Sequence, residues 1–181
     1  MEKKSVKSTS DLLFALSRPF KTDQIKWRAQ RVTKDKLGNN VAMMLAYVDV
    51  NTVRDRLDEV MGHNWQCKHE VSGTKTICHI GLKLDGEWIW RSDGAGDTAY
   101  EADKGALSDS LKRASVCWGV GRHLYNIKSA NASGQIWVQC EVNQQGKFRK
   151  AIEDPWTKVR SDFYCLNLQL LNFLKLLYNQ Q

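Results

Sequence analysis

At 181 residues, with 42% hydrophobic content and seven tryptophans, the chain can bury one substantial core, which excludes a disordered polypeptide. A formal net charge of +7 makes a polyanion the expected partner, because Lys and Arg that neutralise phosphates release condensed counterions. No apolar run reaches membrane-spanning length and the opening MEKKSVKSTS has no leader-like apolar stretch, so a cytoplasmic protein with no membrane partner is expected.

Ser10 and Asp11 are placed to cap a short amphipathic helix through Leu12, Leu13 and Leu16, which Pro19 stops. The runs 25–33 and 41–50 read as strands, and the KDKLGNN between them fits a hairpin connection. Asp49 or Asn51 caps a helix with Val53, Leu57 and Val60 on one stripe, and Gly62 ends it. Strands are predicted over 64–72, 74–84 and 87–92, the last two joined by the turn pair Asp85-Gly86. Thr98 to Glu101 has the spacing of a capping box and opens a long helix whose Leu107, Leu111, Ala114 and Trp118 form the buried stripe. Trp65, Trp88, Trp90 and Trp118 read as packing residues. Beyond Ser129 come a loop, a strand over 136–142 and a further turn. After Pro155 a helix is predicted, with Val159, Phe163, Leu166, Leu170, Phe173 and Leu177 recurring in steps of four and three as an apolar seam.

This order gives an α+β fold with no βαβ repeat: an antiparallel β-hairpin plus a three-stranded β-sheet packed on a long basic helix. It divides into an N-terminal arm (1–24), a core (25–128) and a C-terminal strand and helix (129–181) that offers a subunit contact. Along the long helix, Gly105, Ala106, Ser108, Ser110 and Ser115 keep the surface low around Lys104, Lys112 and Arg113. Two readings stand: a nucleic-acid backbone comes close to fixed cations, or small residues let the helix lie tightly on the sheet.

Other chemistry is weaker. Asp93, Asp97, Glu101, Asp103 and Asp109 bring to mind a metal-dependent nuclease, which needs carboxylates converging on cations, yet acids at a helix start serve its dipole. His63, Cys67, His69, Cys78 and His79 lack a Cys-x-x-Cys pair, and strand neighbours point to opposite faces, so no metal is expected. The five cysteines read as small buried hydrophobes. Neither Gly94-Ala95-Gly96 nor Gly119-Val120-Gly121 completes a dinucleotide fingerprint, and no Walker lysine follows a glycine loop, so neither ATP nor another cofactor is expected. A double-stranded RNA-binding module shares three strands before a basic helix, but such modules are much shorter.

The stretch SDGAGDTAYEADKGALSDSLKRASVCWGVGRHLY resembles the signature of the Rad fifty-two family of single-strand annealing proteins, which includes phage Sak-type recombinases. YVDVNTVRDRLDEVMGHNW is similar to that family's upstream segment, so the resemblance runs from about Lys26 to Lys128. It implies a single-strand-annealing-protein core that works without ATP and without catalytic residues, in homologous recombination and DNA repair. It implies subunits assembled as a ring, or as a helical filament if the rotation does not close, that hold single-stranded DNA by its backbone with bases exposed. By the same resemblance the DNA-binding groove uses Lys112, Arg113 and Lys104 on the long helix, with Arg28 and Tyr47 on the first hairpin. Val116 stands where some relatives place another arginine, and Arg122 is the candidate substitute. Lys75 is the candidate for the family's outer DNA surface. A phage or prophage origin, with a host-cell cytoplasmic location and a single-strand binding protein as a further partner, completes the expectation.

Overall fold

In the computed structural model the described residues are 8–96, 104–129 and 133–160. In chain order the elements are α1 (Thr9–Ser17), β1 (Lys26–Lys34), β2 (Asn40–Tyr47), α2 (Val50–Met61), β3 (Trp65–Ser72), β4 (Lys75–Leu84), β5 (Glu87–Gly96), α3 (Lys104–Cys117), β6 (Ile136–Val142) and β7 (Phe148–Ala151). Short 3-10 turns lie at Thr22–Gln24, Arg122–Asn126 and Pro155–Lys158. The fold is α+β with two antiparallel sheets, and the chain forms two compact units: Met1–Gln24 with Val48–Arg122, and Ile25–Tyr47 with His123–Gln181.

In the first unit the cap of α1 is Ser8, two residues before the expected position. The Ser8 hydroxyl accepts from the Asp11 N–H and the Asp11 carboxylate accepts from the Ser8 N–H, both at 3.1 Å, which satisfies two orphan donors reciprocally. The other end of α1 is gathered by Arg56 of α2. Its guanidinium donates to the Arg18 carbonyl at 2.6 Å, reaches those of Ala15 and Leu16 at 3.5 Å and lies 4.6 Å over the Phe20 ring. Helix α2 buries Val53, Leu57 and Val60 as predicted and ends at Gly62, whose positive φ of 56° glycine adopts without a Cβ penalty.

The first unit's sheet has the order β3-β4-β5. Every second residue of β4 from Thr76 to Leu84 is buried, the period-2 signature of one covered face. Leu111 and Ala114 of α3, and Trp118 just past its end, are buried with them, and the Trp118 indole N–H donates to the Ile80 carbonyl at 3.1 Å. Leu107, expected in this stripe, is instead 48% exposed, while Ser110 and Ser115 are buried. The stripe is thus 110, 111, 114, 115 and 118, rotated away from Leu107. The two serine hydroxyls donate to the carbonyls of Leu107 and Lys112 at 3.0 and 2.7 Å, so neither is left unpaired. At these two positions small residues serve close packing on the sheet. The predicted capping box at Thr98–Glu101 lies outside the described residues.

The second unit's sheet has the order β1-β2-β6-β7, so the first hairpin is half of a larger sheet. The hairpin turn is held by Asp35, whose carboxylate accepts from the N–H groups of Leu37 and Asn39 at 2.9 and 2.8 Å. Ala42, Met44, Ile136, Val138, Cys140 and Val159 form this unit's buried cluster, flanked by Trp27 and Trp156 in edge contact at 5.1 Å. Val159 was expected to open a helical seam. It is instead extended, bridged to Ser129 and buried against the sheet. The remaining seam positions, Phe163 to Leu177, lie outside the described residues.

Candidate nucleic-acid interface

The cations of α3 are positioned by its grip on β5. Two residues along a strand advance about 6.7 Å and four along a helix about 6 Å, so alternate residues of β5 can meet successive helical turns. The Asp93 carboxylate lies 3.2 Å from the Arg113 guanidinium. Two residues earlier, Arg91 donates to the Cys117 carbonyl at 2.7 Å and lies 4.1 Å over the Trp118 ring. Lys112 pairs with Asp109 one turn earlier at 3.6 Å. Both ion pairs are open to water, with the Arg113 side chain 46% and the Asp109 side chain 51% exposed, a setting in which a pair contributes about 0.2–1 kcal/mol. A phosphate can therefore exchange for either carboxylate at small cost.

Arg122 closes the same end of the helix. It donates to the Val116 carbonyl at 3.2 and 2.8 Å and to that of Cys117 at 3.1 Å, satisfying orphan C-terminal acceptors and the negative end of the helix dipole. Its guanidinium therefore stands at the turn of Val116. Lys104 begins α3. Sequence reasoning missed Arg91 and Asp93 as the residues that hold the helix; alternation along β5 was the available signal.

Arg28 and Tyr47 lie in the second unit. Register pairs Lys26 with Tyr47 and Arg28 with Leu45, which puts all four on one face of the sheet, opposite the buried cluster. Arg28 is exposed and Tyr47 half-buried.

The outer face of the first unit's sheet departs from expectation. Trp88 and Trp90 are 39% and 40% exposed, and Lys68 lies 4.9 Å over the Trp90 ring. Trp90 also covers Gly81, where a Cβ would meet the ring at 2.9 Å. Lys75 starts β4, paired with Ser72 and Gly96. Cys67 is exposed, against expectation, whereas Cys78 and Cys140 are buried. Burial, aided by nearby Cys67, pushes the Cys78 thiol up to about 12. Among the described residues no three His, Cys, Asp or Glu side chains converge as metal ligands, and no helix is long and apolar enough to cross a membrane. Asp97, Glu101 and Asp103 lie outside those residues.

The family model described as Rad52/22 family double-strand break repair protein matches residues 8–141. The chain is 35% identical over 122 residues to the single-stranded DNA-binding protein DdrA of Deinococcus deserti, covering 65% of this chain and 58% of that protein. It is 31% identical over 120 residues to the protein of the same name from Deinococcus radiodurans, covering 65% of this chain and 56% of that one. The match thus spans less than two thirds of either relative. No solved structure gives a significant match.

Proposed function

The chain belongs to the Rad52/22 family of double-strand break repair proteins, and from that premise we propose that it binds single-stranded DNA and anneals complementary strands in recombination and repair. The observation that carries this reading is the pair Lys112 and Arg113 on α3, adjacent cations whose carboxylate partners sit in exposed, weak ion pairs. Cations of this kind hold phosphates without reading bases, which is what annealing requires. Lys104 and Arg122 extend the contact along and beyond the helix, and within the second unit Arg28 and Tyr47 offer a contact of their own. The names of the two relatives, each called a single-stranded DNA-binding protein, support the choice of ligand.

The activity is that of a binding protein, with no catalytic residue and no ATP. A ring or filament of subunits makes the contact continuous, since a single binding module covers only about 4–16 nucleotides. A phage-like element, acting in the host cytoplasm beside a single-strand binding protein, is the setting proposed from the resemblance of the α3 segment. The test is incubation of complementary labelled strands with the protein, without ATP and with or without magnesium. Duplex formation in both conditions is expected. Magnesium-dependent cleavage lost in Asp93→Ala would overturn the reading in favour of a metal nuclease.

A further inference from the structure

The face of the second unit's sheet that carries Arg28 and Tyr47 extends across β6, and β1 reaches it through a defect in its alternation. The pairing of β1 with β2 is regular up to Ala29–Met44, skips Gln30 and resumes at Arg31–Met43. Gln30 is thus the extra residue of a β-bulge, a device that re-aims the side chains beyond it. Without it, Arg28 and Arg31 would fall on opposite faces, since residues three apart in a strand alternate. With it, Val32 turns inward to pack against the buried cluster and Arg31 joins Arg28 on the outer face.

Arg31 then meets Trp137. Met43 of β2 pairs with Arg31 on one side and Trp137 of β6 on the other, so the three form one row across the sheet. The Arg31 guanidinium lies 5.2 Å over the Trp137 ring. The indole is fixed in turn by its N–H, which donates to the Gln135 side chain at 3.2 Å. Arg31 is exposed and Trp137 partly so, a flat aromatic with a flat cation over it on a surface that needs neither for its core. The carboxylate of Glu141, further along the same face of β6, is neutralised by Lys150 at 3.1 Å and Arg149 at 3.7 Å.

We infer that Trp137 and Arg31 form a base-stacking station for single-stranded nucleic acid on the outer face of the β1-β2-β6-β7 sheet, one row beyond Arg28 and two beyond Tyr47. This deepens the single-stranded DNA reading and rests on it. The cations of α3 address phosphates, which every residue of a strand carries, whereas an indole under a guanidinium addresses the π-face that every base offers without regard to sequence.

Two short strands of equal length separate the roles: an oligothymidylate, and a deoxyribose-phosphate strand lacking bases. Trp137→Leu is expected to weaken binding of oligothymidylate roughly 5- to 150-fold, the range of one lost base stack, and to leave the base-free strand unchanged. Trp137→Phe, which keeps a ring, should retain most of the affinity and guards against a fold defect in the leucine variant. Equal losses on both strands, or no loss on either, overturn the stacking station. The underlying reading is judged separately by Lys112→Ala with Arg113→Ala, which should weaken both strands alike; if that variant weakens neither, the phosphate contact itself fails.

Discussion

A phosphate that takes the Arg113 guanidinium must displace Asp93, 3.2 Å away and open to water. Because such a pair contributes about 0.2–1 kcal/mol, Asp93→Asn is expected to tighten single-strand binding about 1.4- to 5-fold at low salt. Fluorescence anisotropy with a labelled strand measures this. Weaker binding would mean that the carboxylate organises the cation rather than competes for it. A nuclease would respond differently, by losing cleavage. Sulfur chemistry gives an independent residue-scale check on the packing of β4. The Cys78 thiol, raised to about 12 by burial, stays protonated at neutral pH, while Cys67 on the neighbouring strand is exposed. Iodoacetamide at pH 7.5 should modify Cys67 in the native protein and spare Cys78 until denaturant is added. Equal modification of the two in the native state contradicts the buried face. Charge adjacency at Lys112 and Arg113 was legible residue by residue, and tight packing of the small residues stood as one of two readings, but which serines turn inward, Ser110 and Ser115, was not legible. A serine reads as polar in sequence, and its ability to donate to its own helix is a matter of three-dimensional crowding.

Among elements, the C-terminal end of α1 leans on a side chain of α2. Arg56→Met keeps bulk over Phe20 but strips the guanidinium donor from the carbonyls of Leu16 and Arg18, while that of Ala15 keeps the Arg18 N–H. Unsatisfied buried acceptors cost about 1–3 kcal/mol, so chemical denaturation should show a loss in that range, with single-strand binding retained below the transition. In the second unit Glu153 ties the turn after β7 to β6. It accepts from the Gln139 N–H at 3.2 Å and from Lys158 at 3.2 Å, and these bonds, the backbone one foremost, hold its carboxyl below the ordinary 4.5. A depressed folded-state pKa contributes stability above the unfolded value, lost as pH falls through the folded value. Glu153→Gln should therefore flatten the fall of the thermal midpoint below about pH 5, and an unchanged acid profile would discount the contact. Strands β1 to β5 and helix α2 were legible because their signals are local: alternation, an Asp-Gly turn, a glycine at a helix end. The bulge at Gln30 was not, since alternation alone puts Arg28 and Arg31 on opposite faces and the extra residue is imposed by the partner strand.

At the scale of the molecule, the pairing of β2 with β6 had no sequence signature, because each reads as a strand and nothing local says which edge it joins. The same pairing draws Trp156 and Val159 into the second unit's core, so a truncation that spares that core begins after Arg160. Deleting 161–181 is expected to shrink a particle several times the 20.7 kDa chain if the apolar seam there joins subunits, as read by light scattering. A monomeric full-length protein that still anneals would refute the shared groove. The central claim is that α3 holds single-stranded DNA by its phosphates, and the salt dependence of binding tests it most directly. For single strands each phosphate contact contributes roughly 0.7 to the slope of log affinity against log salt. Titration of an oligothymidylate between about 50 and 200 mM salt should show that Lys112→Ala with Arg113→Ala lowers the slope by roughly 1.4 and weakens binding for every sequence alike. A folded double variant with the affinity and slope of the parent would contradict it.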